Sequence, residues 1–131
     1  MKDMILIIDG DAWVRQLLTD FLTPMYGVST ASSGTEGIER YNERRDDWSL
    51  VITDYNALLA KGGDIIGHSR AHDAALPVIV ATGGPTDVVG DALGAVGNVA
   101  VCAKPFDFAH LRNMIEQFLG IEARQKPKRF F

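Results

Sequence analysis

The sequence predicts an open, doubly wound α/β domain, in which a five-stranded parallel sheet carries helices on both faces. Five short apolar segments alternate along the chain with five segments of helical character, which is the order of elements in such folds. Three of the apolar segments show no strict polar–apolar alternation, as expected of strands that helices cover on both sides. The 131 residues match the size of one domain of this kind.

The five apolar segments are the predicted strands. The first, third and fourth are nearly continuous apolar runs, and the spacing between neighbouring segments leaves room for a helix each time. The segments are Met4–Ile8, Val28–Ala31, Leu50–Thr53, Pro77–Thr82 and Ala100–Cys102.

The first two helices have clear boundary signals. Between Ala12 and Leu22 the apolar residues recur three and four positions apart, which places them on one helical face. The sequence Thr23-Pro24 ends this helix. Ser33 is a suitable N-cap for the second helix, and Glu36 three residues later completes a capping box.

The remaining three helices differ in the strength of their signals. The third is predicted to begin near Asp64 and to end before Pro77. The fourth, over residues 87–97, contains three glycines, each costing about 1 kcal/mol relative to alanine inside a helix, so we expect it to be short or mobile. The last runs from Asp107, whose charge suits the positive end of the helix dipole, to Leu119, and Gly120 ends it.

Composition and charge limit the classes of function. A hydrophobic fraction of 47% with 23% charged residues indicates a globular protein, and the net charge of −4 argues against direct nucleic-acid binding. No apolar run approaches the roughly 20 residues that cross a bilayer, so we predict a cytoplasmic protein without a membrane segment. The single cysteine, Cys102, excludes an internal disulfide and a cysteine-based metal site. We assign residues 1–120 to the domain and 121–131 to a basic tail or the start of a linker.

Polar groups follow four of the predicted strands. Asp9 and Asp11 come after the first strand, Asp54 after the third, Thr82 ends the fourth and Lys104 follows the fifth. In an open α/β sheet, ligands bind outside the carboxyl ends of the strands where the strand order reverses. We therefore expect these side chains to converge on one crevice.

This set of groups suits phosphoryl transfer. A carboxylate such as Asp54 can act as the nucleophile, and a hard dication held by oxygen ligands can neutralise the transferred group. The Lys104 ammonium and the Thr82 hydroxyl can bind phosphate oxygens. Because Pro105 follows Lys104, the lysine backbone is restricted to an extended conformation.

The order of these groups resembles the receiver domain of two-component response regulators. In that family a threonine follows the fourth strand and a Lys-Pro-Phe sequence, here Lys104-Pro105-Phe106, follows the fifth. The resemblance covers residues 4–119 and implies a flavodoxin-like receiver fold. It implies that Asp54 accepts a phosphoryl group from a sensor histidine kinase or a histidine phosphotransfer protein, and that Thr82 and Lys104 contact the phosphate. It also implies a signalling module that is not an enzyme.

The resemblance implies a Mg²⁺ site that is incomplete in this chain. Its ligands would be Asp9, Asp54 and the backbone carbonyl of Asn56, with Asp11 as a further candidate. Receivers usually place a metal-ligating carboxylate at the position occupied here by Gly10. Loss of one carboxylate weakens a site for a hard dication, so we expect weak Mg²⁺ binding.

The chain departs from the family pattern at two further places, in the loop after Asp54 and at a position in the fifth strand where the family carries a ring that moves on phosphorylation. Ala57-Leu58 stands where receivers typically have a Met-Pro pair, and Val101 stands where they commonly have an aromatic ring. The expected outputs are contact with a downstream protein or formation of a homodimer through the fourth helix, the fifth strand and the fifth helix.

Three interpretations of the function stay open at this stage, and so does the role of Trp13. A phosphoacceptor receiver is the first interpretation, and a pseudo-receiver that binds proteins without phosphorylation is the second, favoured by Gly10 and Val101. A small phosphatase or flavin-binding protein that uses the same crevice is the third, although the first strand lacks a glycine-rich phosphate loop after it. Trp13 is either a partner contact or a half-buried packing residue.

Overall fold

The computed structural model describes residues 3–120, and over this range strands alternate with helices as predicted. The strands are β1 (Met4–Ile8), β2 (Gly27–Ala31), β3 (Trp48–Asp54), β4 (Val78–Thr82) and β5 (Val99–Ala103). The helices are α1 (Ala12–Leu22), α2 (Gly34–Glu43), α3 (Tyr55–Leu59), α4 (Ile65–Arg70), α5 (Thr86–Leu93) and α6 (Phe108–Leu119).

The strands form one parallel sheet in the order β2-β1-β3-β4-β5. The strand order reverses between β1 and β3, so the crevice at their carboxyl ends is the expected ligand site of this architecture. The predicted doubly wound, five-stranded parallel sheet is confirmed.

Two apolar layers cover the two faces of the sheet. Along β1, Ile5 and Ile7 belong to one core cluster, whereas Leu6 and Ile8 belong to the other. Successive strand residues point to opposite faces of the sheet. When both faces are buried, every position along the strand is apolar and the polar–apolar alternation is lost. This explains the continuous apolar runs in the sequence. The layer that contains Ile5 also includes residues of α1 and α6, and the layer that contains Leu6 includes residues of α2, α4 and α5.

The structure contains one helix that the sequence did not predict. Helix α3 begins directly after β3, and its N-cap is Asp54, whose Oδ2 accepts a hydrogen bond from the Ala57 N–H at 3.3 Å. With only five residues, α3 is too short to show a helical period. The acceptor candidate is therefore both the last residue of a strand and the cap of a helix.

The other helices follow their sequence signals. Ser33 caps α2 by accepting from the Glu36 N–H, and the Glu36 side chain in turn accepts from the Ser32 N–H. Helix α5 is short, as expected, and Pro85 at its N-cap supplies no side-chain hydrogen bond.

Within residues 3–120, no helix is both long enough and apolar enough to cross a membrane. The predicted basic tail, residues 121–131, lies outside the described residues.

Candidate functional site

Lys104 bridges two carboxylates at the carboxyl edge of the sheet. Its Nζ lies 2.6 Å from Asp9 Oδ2 and 2.8 Å from Asp54 Oδ1. Asp9 follows β1, Asp54 ends β3 and Lys104 follows β5, so the three groups are brought together by the sheet and not by the local sequence. The convergence expected from the sequence is present for these three side chains.

The bridge is largely shielded from solvent. The side chains of Asp9 and Asp54 are 6% and 15% exposed, and that of Lys104 is 20% exposed. Burial by itself would lower the pKa of Lys104, but the hydrogen bonds and charges of Asp54 and Asp9 outweigh it, so the pKa is raised. The ammonium group therefore remains protonated at neutral pH and acts as a fixed positive charge.

Backbone amides hold the second oxygen of each carboxylate. Asp9 Oδ1 accepts from the Asp11 N–H at 2.8 Å, and Asp54 Oδ2 accepts from the Ala57 N–H. Each carboxylate thus has one oxygen on Lys104 and one on the backbone, which fixes the orientation of both groups.

Thr82 ends β4 beside this bridge and is buried. Its Oγ1 accepts from the Gly84 N–H at 3.0 Å, which leaves the hydroxyl proton available for donation. The Thr82 carbonyl accepts from the Lys104 N–H at 2.7 Å, so the backbones of the two predicted phosphate ligands are joined directly. Gly83 leaves the adjoining space open, because a Cβ there would have no atom within 4 Å.

Asp11 and Asn56 are engaged in local backbone structure. The Asp11 carboxylate accepts from the Trp13 N–H at 2.8 Å and caps α1. The Asn56 carbonyl accepts from the Ala60 N–H at 3.1 Å at the end of α3. Both roles follow from helix termini, which leave backbone donors and acceptors to be satisfied.

The donor set fits Mg²⁺ in chemistry but is short in number. Mg²⁺ prefers oxygen ligands in octahedral geometry and retains water in the remaining positions, and Asp9 and Asp54 offer carboxylate oxygens of this kind. Among residues 3–120, however, no group of three or more His, Cys, Asp or Glu side chains lies close enough to bind one metal ion. Gly10 is exposed, and a Cβ there would lie 3.6 Å from the Ser32 carbonyl oxygen, an ordinary contact. The backbone at position 10 therefore does not require glycine for lack of space at the Cβ position.

Sequence reasoning missed one residue at the site. Arg15, in α1, donates from Nη1 to the backbone carbonyl of Asp9 at 2.7 Å. It lies one turn into the helix that Asp11 caps, and nothing in its sequence surroundings distinguished it from a surface arginine. Trp13, in the same turn, is 69% exposed, so its interpretation as a half-buried packing residue is wrong.

The fold and this edge of the sheet define a class: a doubly wound α/β domain with two carboxylates and a lysine in the crevice at its strand ends. The sequence profile of the response regulator receiver domain matches residues 5–116. The chain belongs to this family, whose members are receiver domains of two-component systems and whose sites generally bind Mg²⁺. The predicted resemblance is thus confirmed.

Several characterised proteins are similar to this chain. Sporulation initiation phosphotransferase F of Bacillus subtilis is 28% identical over 127 residues, which cover 94% of this chain and 98% of that protein. A receiver domain structure from Clostridium thermocellum has a TM-score of 0.80 at 25% identity and covers 93% of this chain and 98% of that one. The structure of the Vibrio cholerae chemotaxis protein CheY4 has a TM-score of 0.78 at 22% identity, with coverage of 91% and 100%, and supports the fold.

Proposed function

We propose that this receiver domain accepts a phosphoryl group on Asp54 from a sensor histidine kinase or a histidine phosphotransfer protein. The observation that carries the proposal is the position of the Lys104 ammonium, 2.8 Å from Asp54 Oδ1 and 2.6 Å from Asp9 Oδ2. A fixed positive charge beside a carboxylate nucleophile is suited to a group that brings further negative charge. The B. subtilis relative is named a phosphotransferase, which agrees with this chemistry.

The proposed step needs little from the protein beyond position and charge. An Asp54 carboxylate oxygen forms a bond to phosphorus while the phosphorus–nitrogen bond of phosphohistidine breaks, and the imidazole leaves with the electron pair. The Thr82 hydroxyl donates to one phosphoryl oxygen and Lys104 neutralises another. The direct backbone hydrogen bond between Thr82 and Lys104 keeps these two groups in register.

We assign Mg²⁺ the role of neutralising charge on the transferred group when it is bound. The residues that would hold it are Asp9, Asp54 and the Asn56 carbonyl, with Asp11 as a further candidate if its cap on α1 opens. Because Gly10 leaves this set short of one carboxylate, we propose that the ion binds weakly.

The output surface is assigned to the side of the domain formed by α5, β5 and α6. Val88, on α5, is 59% exposed, and an exposed aliphatic side chain of this kind suits a protein contact. We propose that a downstream protein, or a second copy of this chain, binds there. We further propose that the domain ends at residue 120.

The proposal is tested with phosphoramidate, which carries the same phosphorus–nitrogen bond as phosphohistidine. In excess Mg²⁺ we expect an adduct of one phosphoryl group by mass spectrometry, sensitive to hydroxylamine as an acyl phosphate is. Asp54→Asn is the matched control, since asparagine caps a helix as well as aspartate does and preserves α3. Wild-type protein that forms no adduct, or an Asp54→Asn variant that forms the same one, would contradict the proposal.

A pseudo-receiver that binds proteins without phosphorylation is the second candidate. Gly10 favours it because it removes a carboxylate, and the half-buried Val101 favours it because an aliphatic side chain replaces the expected aromatic ring. This candidate predicts partner binding that is equal for wild type and Asp54→Asn, whether or not phosphoramidate is present.

A further inference from the structure

The two carboxylates of the crevice already have protein partners on every oxygen. Lys104 Nζ binds Asp9 Oδ2 and Asp54 Oδ1, and the remaining oxygens accept from the N–H groups of Asp11 and Ala57. A dication that coordinates either carboxylate has to displace one of these donors or share the oxygen with it. Lys104 and Mg²⁺ therefore compete for the same negative charge.

The balance of charge in the crevice favours the lysine. Asp9 and Asp54 contribute two negative charges and Lys104 one positive charge, and Gly10 contributes none. Arg15 adds a second positive group next to Asp9, 2.7 Å from its backbone carbonyl oxygen. The attraction of a site for a cation falls with each positive charge nearby and each carboxylate removed. Lys104 and Arg15 thus supply positive charge to this crevice. In a crevice with one more carboxylate, a bound dication would have to supply it.

We infer that Lys104, supported by Arg15, is the main counter-charge for phosphorylation of Asp54, so that the reaction depends only weakly on Mg²⁺. This inference rests on the proposed function and concerns the cation used by the same site. With phosphoramidate, whose nitrogen is protonated at neutral pH, an Asp54 oxygen forms a bond to phosphorus, the phosphorus–nitrogen bond breaks, and ammonia leaves with the electron pair and its three protons. Lys104 keeps its protons throughout and faces the negative phosphoryl oxygens.

The first test compares initial rates of adduct formation in excess Mg²⁺ and in EDTA. For wild type, we expect removal of Mg²⁺ to slow the reaction by less than about tenfold. For Gly10→Asp, we expect the same removal to slow the reaction by more than about a hundredfold, because the additional carboxylate makes the crevice depend on a dication. Gly10→Asn is the matched control, with the same size and no charge, and should behave as wild type. Position 10 is exposed and admits a Cβ, which would meet only the Ser32 carbonyl, at 3.6 Å.

The second test measures metal binding without any phosphoryl donor. Trp13 has an exposed side chain, and its backbone N–H donates to the Asp11 carboxylate. Its fluorescence is followed during a Mg²⁺ titration, and Trp13→Phe verifies the source of the signal. Lys104→Met and Gly10→Asp should each bind Mg²⁺ at least about tenfold more tightly than wild type, since each raises the negative charge of the crevice.

Two results would overturn the inference while leaving the proposed function intact. One is a wild-type reaction that loses as much rate in EDTA as that of Gly10→Asp. The other is a Lys104→Met variant whose Mg²⁺ affinity equals that of wild type. A wild-type protein that forms no Asp54 adduct under any condition, Mg²⁺ included, overturns the proposed function and the inference together.

Discussion

Gly34, at the start of α2, and Gly63, before α4, pack backbone against backbone: a Cβ atom on Gly34 would lie 2.6 Å from the Cα of Gly63. Both glycines also face the carbonyl of Ala57, which would lie 2.5 Å from a Cβ on Gly34 and 2.2 Å from one on Gly63. Ala57 belongs to α3, whose N-cap is Asp54. The contact therefore connects the helix that follows the acceptor aspartate to α2.

A side chain at Gly63 should destabilise the fold. In Gly63→Ala the added methyl group meets backbone that cannot move aside like a flexible side chain, and overpacking of this kind costs about 1–3 kcal/mol. Urea unfolding measures the loss. Gly90→Ala is the control, because its Cβ would meet nothing within 4 Å and alanine favours the interior of α5 by about 1 kcal/mol. A Gly63→Ala variant as stable as wild type would show that the loop relaxes freely.

Arg70 should contribute more to stability than a surface arginine. From the end of α4 it donates to the carbonyls of Leu76, Gly97 (3.0 Å) and Asn98 (3.4 Å), and so links α4 to the segment that enters β5. Hydrogen bonds from a charged donor contribute about 1.5–3 kcal/mol each, so we expect Arg70→Met to lower the free energy of unfolding by at least that amount. The control is Arg45→Met at an exposed site, with an expected change within about 0.5 kcal/mol. Equal urea midpoints for the two variants would refute this role of Arg70.

Cys102 should be unreactive in the folded protein. The residue is buried in β5, and burial raises the pKa of its thiol to about 11, whereas only the deprotonated thiolate attacks alkylating reagents efficiently. We expect iodoacetamide to label it at mildly alkaline pH only when urea unfolds the chain. A cysteine introduced at the exposed neighbour, Ala103→Cys in a Cys102→Ala background, should react without urea. Rapid labelling of native wild type would mean that β5 opens readily.

The Lys104 bridge should stabilise the protein up to strongly alkaline pH. Its pKa is raised above the ordinary 10.5, so folding favours the protonated ammonium. Its contribution to stability is then complete below about pH 10.5 and is lost as the pH rises through the folded value. The measurement is the difference in unfolding free energy between wild type and Lys104→Met across an alkaline series. Both proteins carry Cys102→Ala, because Lys104 lowers the pKa of that thiol and its titration would differ between them, whereas Tyr41 titrates alike in both and cancels. A difference that persists unchanged well above that range would contradict the bridge.

The sequence predicted the parts of this protein that depend on local pattern. Continuous apolar runs located the strands, because burial on both faces leaves a direct mark on composition, and Ser33 marked the start of α2. Contacts between distant segments left no such mark. Asp9 and Lys104 are separated by 95 positions, so their bond was predicted only as a shared edge of the sheet, and the Gly34–Gly63 contact was not predicted at all.

Two local features near the acceptor aspartate and the proposed metal site were also not predicted from the sequence. Helix α3 was missed because five residues do not display a helical period, although Asp54 is a residue of the type that caps helix N-termini. The use of Asp11 as the cap of α1 was missed because its carboxylate has two suitable partners, a metal ion and the first backbone N–H groups of the helix. The sequence does not distinguish between them.

Trp13 should serve the encounter with the phosphodonor and not the chemistry. Its side chain is 69% exposed in the first turn of α1, beside the crevice, and a large exposed aromatic residue is a suitable anchor for a protein contact. For Trp13→Ala we expect phosphotransfer from a phosphorylated histidine phosphotransfer protein to fall by about tenfold, equivalent to about 1.4 kcal/mol, while the rate with phosphoramidate stays unchanged. Met25→Ala is the control, since Met25 is also exposed but lies beyond the opposite end of α1. If Trp13→Ala slows both donors equally, the residue supports the crevice itself, and if it slows neither, the donor docks elsewhere.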